Sequence, residues 1–184
     1  SNLPFISGIK AVKEPAGKSL LTDKLNFSTS QDDISSFERP ISMVNGIPLQ
    51  NSGYLGKGIL IAVTDGGFYN ADVIQALDHL HNRKGVVATY DFVERNEFVY
   101  GFHNHGTAVL SVLAGKIPGK IAGTAPGADY LLLRTEDTTA EYPAEEDYWI
   151  AAAEYADSAG ADIISSSLGY YIFDNPAFNY KFSD

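Results

Sequence analysis

Cysteine is absent from all 184 residues, which removes disulfides, thiolate catalysis and cysteine-based zinc sites from consideration. Its absence does not fix the compartment, since many exported proteins also lack the residue. Positive charge is scarce as well. Thirteen Lys and Arg stand against 23 Asp and Glu, a net charge of −10, and such a surface repels a phosphate backbone. Nucleic acid is therefore not an expected partner. No stretch approaches the roughly 20 consecutive apolar residues of a membrane-spanning helix, and no basic-then-apolar signal opens the chain. The opening at Ser1-Asn2 rather than methionine reads as a trimmed start, at which any export signal would already be gone.

What is present suffices for one domain with a substantial core, at 45% hydrophobic residues over this length. Residues 58–64 (Gly-Ile-Leu-Ile-Ala-Val-Thr) form a short apolar run bounded by glycine, which predicts a buried parallel strand ending at Asp65. Val86 to Phe92, Tyr130 to Arg134 and Asp162 to Ser167 read as further strands, the last of them buried. Helices are expected over 41–54, near 72–82 with Val73, Ile74, Leu77 and Leu80 on one face, from His105 onward, and over 144–159. In the last of these Trp149, Ala152, Ala153 and Ala156 recur at helical spacing, and Glu145 and Glu146 suit the helix dipole. Strands alternating with helices are the pattern of a parallel sheet covered on both faces. Gly53, Gly56 and Gly58 precede their strand, whereas a dinucleotide fingerprint follows one and opens a helix, so that spacing argues against a nucleotide site. His79 and His81 lie two apart, cannot share a helix face, and read as surface histidines.

A carboxylate at the C-terminal end of a buried parallel strand stands where open α/β sheets place their chemistry. Asp65 is such a residue, and Gly66-Gly67 lets the chain turn sharply after it. Forty residues later, His105 opens a helix whose following residues are small, then apolar at Ala108, Val109, Val112 and Leu113, so the helix packs inward and holds the imidazole rigidly. Alone, a strand-end aspartate often caps a turn and a helix-start histidine often caps a helix.

Taken in order, Val63-Thr64-Asp65-Gly66-Gly67-Phe68, His105-Gly106-Thr107 and Ala161 to Gly169 resemble the aspartate, histidine and substrate-strand motifs of the subtilisin-like serine peptidases. Gly123-Thr124-Ala125-Pro126-Gly127-Ala128 matches the Gly-x-Ala-Pro-x-Ala turn of the same family. The order Asp, His, Ser is the family's, and the resemblance covers residues 41–175. It implies a three-layer α/β fold with a parallel sheet between helices, and peptide hydrolysis in which Asp65 orients His105 as general base. It also implies that Ser167, Leu168 and Gly169 line the specificity pocket, with 134–137 flanking the other side of the peptide. The family's nucleophilic serine lies roughly 150 residues beyond its histidine, and none of the serines here has the Gly-Thr-Ser-small context. The chain accordingly reads as a peptidase domain incomplete at the C-terminus.

By the same resemblance, residues 1–40 hold a pro-segment tail and a cleavable linker, and 41–184 the front of the peptidase domain; a mobile arm packed on the domain is the alternative for that segment. A peptide or protein substrate, the remainder of its own domain as partner, and a secreted or cell-envelope location follow from the family. No cofactor is required. Structural calcium, which the family often binds, has no acidic run of readable calcium-loop spacing here. Two competing functions stand beside the peptidase. One is a non-catalytic module binding peptides or a partner through the Ser167 strand edge and the aromatic residues Tyr170, Tyr171, Phe173, Phe178, Tyr180 and Phe182, expected to be exposed. The other is a zinc hydrolase using Asp65, His103 and His105, disfavoured because a helix starting at Gly106 sets the two histidines on different sides.

Overall fold

The computed structural model describes residues 39–181; the expected pro-segment and linker lie outside the described residues except for Arg39 and Pro40. The central strand is β1 (Leu60–Asp65), hydrogen-bonded on one side to β5 (Asp129–Arg134) and on the other to β6 (Ile163–Ser166). With β2 (Val86–Asp91) outside β5, the four-stranded sheet has the order β2-β5-β1-β6, and every pairing is parallel.

Period-two alternation sends neighbouring residues of each strand to opposite layers. Ile61 and Val63 of β1, with Tyr130 and Leu132 of β5, pack beneath Leu110 and Ala114 of α4 (His105–Ala114) and Leu80 of α3 (Asp78–Asn82). Ala62, Leu131 and Leu133 point the other way, against Ala152 and Ala156 of α5 (Ala144–Ser158). Small alanines on α5 allow it to lie close to the sheet, and its C-terminus closes where the Ala161 N–H bonds the Ala156 carbonyl at 2.9 Å. The three-layer α/β arrangement expected from the sequence is thus present.

Four local expectations need correction. Residues 41–54 are not one helix but two short ones, α1 (Arg39–Met43) and α2 (Ile47–Asn51), because Asn45 takes a positive φ and the Gly46 N–H turns back to the Ile41 carbonyl. The stretch near 72–82 holds only a 3-10 turn, Gln75–Leu77, before α3; Val73 is exposed, while Leu77 and Leu80 are fully buried. A small antiparallel hairpin, β3 (Lys116–Ile117) and β4 (Ile121–Ala122), follows α4, too short to leave a periodic signal.

Strand β6 is not buried: Ile163 and Ile164, on opposite faces, are 51% and 39% exposed. It is an edge strand whose neighbours cover neither face. The aromatic residues after it are also less exposed than expected. Phe173 is buried and meets the Tyr180 ring at 5.8 Å, Tyr170 and Phe178 are half-buried, and only Tyr171 and Tyr180 are exposed; Phe182 lies outside the described residues. Hydroxyls fold this segment back: Tyr170 donates to Glu136 Oε1 at 2.6 Å and Tyr180 to Glu146 Oε2 at 2.8 Å.

Candidate active site

Asp65 ends β1 at the carboxyl edge of the sheet, with its carboxylate wholly buried. Its Oδ1 accepts the Gly66 N–H at 2.7 Å, which turns the side chain over the loop that follows. His105 stands at the start of α4, and its Nδ1 lies 3.0 Å and 2.9 Å from the two Asp65 oxygens. The imidazole is 20% exposed while its partner is 0% exposed. With Asp65 accepting, the Nδ1 of His105 carries the proton and Nε2 is left as the basic nitrogen on the open side.

The helix can approach this closely because its second residue has no side chain. A Cβ on Gly106 would stand 2.4 Å from the Gly67 carbonyl oxygen and 2.9 Å from Asp65 Cβ. On the next residue, Thr107 Oγ1 donates to the Tyr69 carbonyl at 2.8 Å, tying α4 to the loop after Asp65. The sequence motif His-Gly-Thr is therefore three contacts in succession: the imidazole, the close approach and the tether.

Burial raises the Asp65 carboxyl above the ordinary carboxylate value, and the nearby charge of Glu136 pushes the same way; His105 and the Gly66 N–H pull it down without cancelling the effect of burial.

Ser167, Leu168 and Gly169 run on from β6 at the same edge of the sheet. Ser166 is in register with Thr64 of β1, so Ser167 continues alongside Asp65. Ser167 and Gly169 are exposed, and a Cβ on Gly169 would meet open space. Behind them the Trp149 indole donates to Ser166 Oγ at 3.0 Å. On the opposite side, the Thr135 N–H donates to the Asp65 carbonyl at 3.0 Å, but the side chains of Arg134 and Glu136 turn inward.

That inward turn reveals a contact not read from the sequence. Buried Arg134 donates through Nε to the Gly66 carbonyl at 3.2 Å and through Nη1 to buried Asp91 at 2.8 Å, with its guanidinium 3.7 Å from the Phe102 ring centre. The other Asp91 oxygen accepts the N–H groups of Val93 and Glu94. No local pattern connects residues 66, 91, 102 and 134; the signal is only an arginine closing an apolar strand.

Asp65, His103 and His105 do not converge as a zinc site. His103 Nδ1 instead accepts the His105 backbone N–H at 3.1 Å. Among the described residues, the group whose ligand atoms do come together is Glu136, Glu141 and Glu145, within 4.8 Å of one another. Oxygen-only donors suit a hard cation such as calcium, although Tyr170 already donates to Glu136 and the Asp137 N–H to Glu145. Their spacing along the chain matches no calcium loop. The histidines read as surface residues are half-buried; His81 Nε2 bonds the Ala71 carbonyl at 2.8 Å.

Known proteins resemble this chain in sequence family and in fold. The model of the subtilase family matches residues 56–180. Similar solved structures include the MycP3 protease from the type VII (ESX-3) secretion system, at TM-score 0.58 and 20% identity over 75% of this chain. MycP1 with its N-terminal propeptide removed gives 0.52 and 20% over 70%. Fervidolysin from Fervidobacterium pennivorans, a keratinolytic enzyme related to subtilisin, gives 0.57 and 20% over 94%. The chain spans 38%, 36% and 26% of those three chains. No protein with a curated description matches it significantly. A family match over more than half the sequence, on a parallel sheet that carries Asp65 and His105 at one edge, places this chain in the subtilase family.

Proposed function

We propose that the protein is an exported serine endopeptidase in which Asp65 orients and His105 acts as general base, with the nucleophilic serine supplied by chain beyond the residues described. The paired contact of His105 Nδ1 with Asp65, leaving an open imidazole face, carries this reading. A serine hydroxyl placed at Nε2 loses its proton to the imidazole as its oxygen attacks the peptide carbonyl; the imidazolium then returns the proton to the leaving amine. Asp65 stays ionised throughout and stabilises the imidazolium. The exposed backbone of Ser167 to Gly169 supplies an extended edge against which a substrate strand pairs. This chemistry calls for no cofactor.

Strand β6 supports the same reading from another direction. Parallel strands are ordinarily covered on both faces, and here both Ile163 and Ile164 are open. Further chain packed on β6 would cover them and bring the serine to His105. The same open strand favours the second reading, a peptide- or protein-binding module without a nucleophile. A fluorophosphonate probe separates the two in the full-length protein. Labelling at a single serine outside 39–181, lost in His105→Ala, is the expected result; a folded full-length protein that takes no label would leave only the binding module.

A further inference from the structure

Between Asp65 and the loop behind it, the backbone hydrogen bonding has a gap. The Asp65 carbonyl still accepts the Thr135 N–H, the last rung toward β5. The next backbone bonds come three residues on, where the N–H groups of Phe68, Tyr69 and Asn70 donate to the carbonyls of Val99, His103 and Tyr100. Among the described residues, Gly66 and Gly67 make no backbone-to-backbone hydrogen bond. Glycine is also the residue with most rotational freedom. An aspartate whose turn rests on two glycines has no set direction unless something else holds them.

Side chains fill the gap at both ends of Gly66. Its N–H donates to Asp65 Oδ1 at 2.7 Å, and its carbonyl accepts from Arg134 Nε at 3.2 Å. Both peptide groups flanking the Gly66 Cα are thereby bound, which settles its φ and ψ. Arg134 is itself held: Nη1 donates to Asp91 at 2.8 Å, the Phe102 ring centre lies 3.7 Å from the guanidinium carbon, and the residue is 4% exposed. Asp91 accepts the Val93 and Glu94 N–H groups through its other oxygen, so it too is fixed. With the guanidinium charge matched at Asp91, what reaches Gly66 is a donor in a set place. Gly67 has little room to shift, since a Cβ there would stand 2.6 Å from Phe102 Cβ and 2.8 Å from the His103 nitrogen.

We propose that Arg134 is a positioning residue for the Asp65 and His105 pair, acting through Gly66. Its bond to the carbonyl sets the glycine whose N–H aims the Asp65 carboxylate, and that carboxylate meets His105 Nδ1 at 2.9 Å. Loss of the bond frees Gly66, lets the carboxylate rotate about its Cα–Cβ bond and lengthens the contact to Nδ1. Arginine suits the task because its planar fork offers Nε to one acceptor and Nη1 to another in fixed relation, whereas lysine presents a single point. The effect on hydrolysis rests on the peptidase reading; the effect on the His105 contact does not.

The test is proton NMR of the full-length protein with ¹⁵N-labelled histidine and arginine, beside peptide hydrolysis. In the wild type the His105 Nδ1–H, held by a carboxylate, should give a far-downfield signal. In Arg134→Lys, which keeps a cation for Asp91, that signal should move upfield and exchange with solvent about tenfold or more faster. In the same variant kcat should fall about tenfold to a hundredfold while KM stays within about twofold. Arg134→Met/Asp91→Asn removes the ion pair as a whole, leaves an oxygen for the Val93 and Glu94 N–H groups, and should give the same result. Either variant, folded and showing the wild-type proton signal, would overturn the assignment. A lowered melting temperature with the signal unmoved would do so too, as the mark of a merely structural ion pair. In the wild type the Arg134 Nε–H should exchange about a hundredfold or more slowly than that of exposed Arg95; equal rates would overturn the proposal even if neither variant folds. Absence of hydrolysis in every protein, wild type included, would end the peptidase reading, and the proton signal would still decide the role of Arg134.

Discussion

Gly106 and Asp65 show how single residues set the candidate site. Any side chain at Gly106 would collide with Gly67 and with Asp65 itself, so His105 reaches its carboxylate only because the next residue is glycine. Asp65 exacts a cost in stability for its position. Since burial raises its folded-state pKa, its contribution to stability is fully present below the unfolded value of 3.8 and is lost as pH rises through the folded value. Asparagine keeps the shape without that loss. Relative to wild type, Asp65→Asn should therefore gain thermal stability as pH rises above 3.8, as measured by melting curves at each pH. A difference between the two proteins that stays constant or shrinks over that range would contradict the argument.

At the scale of elements, the loop after β1 is held by the end of β5. Arg134 joins Gly66 to Asp91 at the end of β2, so three parts of the chain meet at one guanidinium. Arg134→Ala leaves the Asp91 charge buried without its partner and should cost about 3–5 kcal/mol in urea unfolding; a loss below about 1 kcal/mol would show the pair to be incidental. The double variant Arg134→Ala/Asp91→Ala should recover part of the loss. This element-level arrangement marks the boundary of what the sequence discloses. Strands β1 and β5 are legible because their apolar runs are buried on both faces, and His105 because a motif spans its own helix start. Arg134, Phe102 and the Glu136, Glu141 and Glu145 group are assembled by tertiary contacts with no local spacing. Strand β6 misleads for a related reason: its apolar composition reports the cover a parallel strand calls for, whereas Ile163 and Ile164 are exposed on both sides.

At the scale of the whole molecule, the dyad and the Ser167 edge lie together at one end of the parallel sheet. The subtilase match and the similarity to protease structures concern the fold and the family; the central claim concerns two side chains within them. It is tested most directly by kcat/KM for peptide hydrolysis in the full-length protein carrying Asp65→Asn or His105→Ala, with circular dichroism to confirm the fold. Losses of about 10⁴-fold or more are expected for each. Wild-type rates in either variant would contradict the assignment of Asp65 and His105 as the catalytic pair.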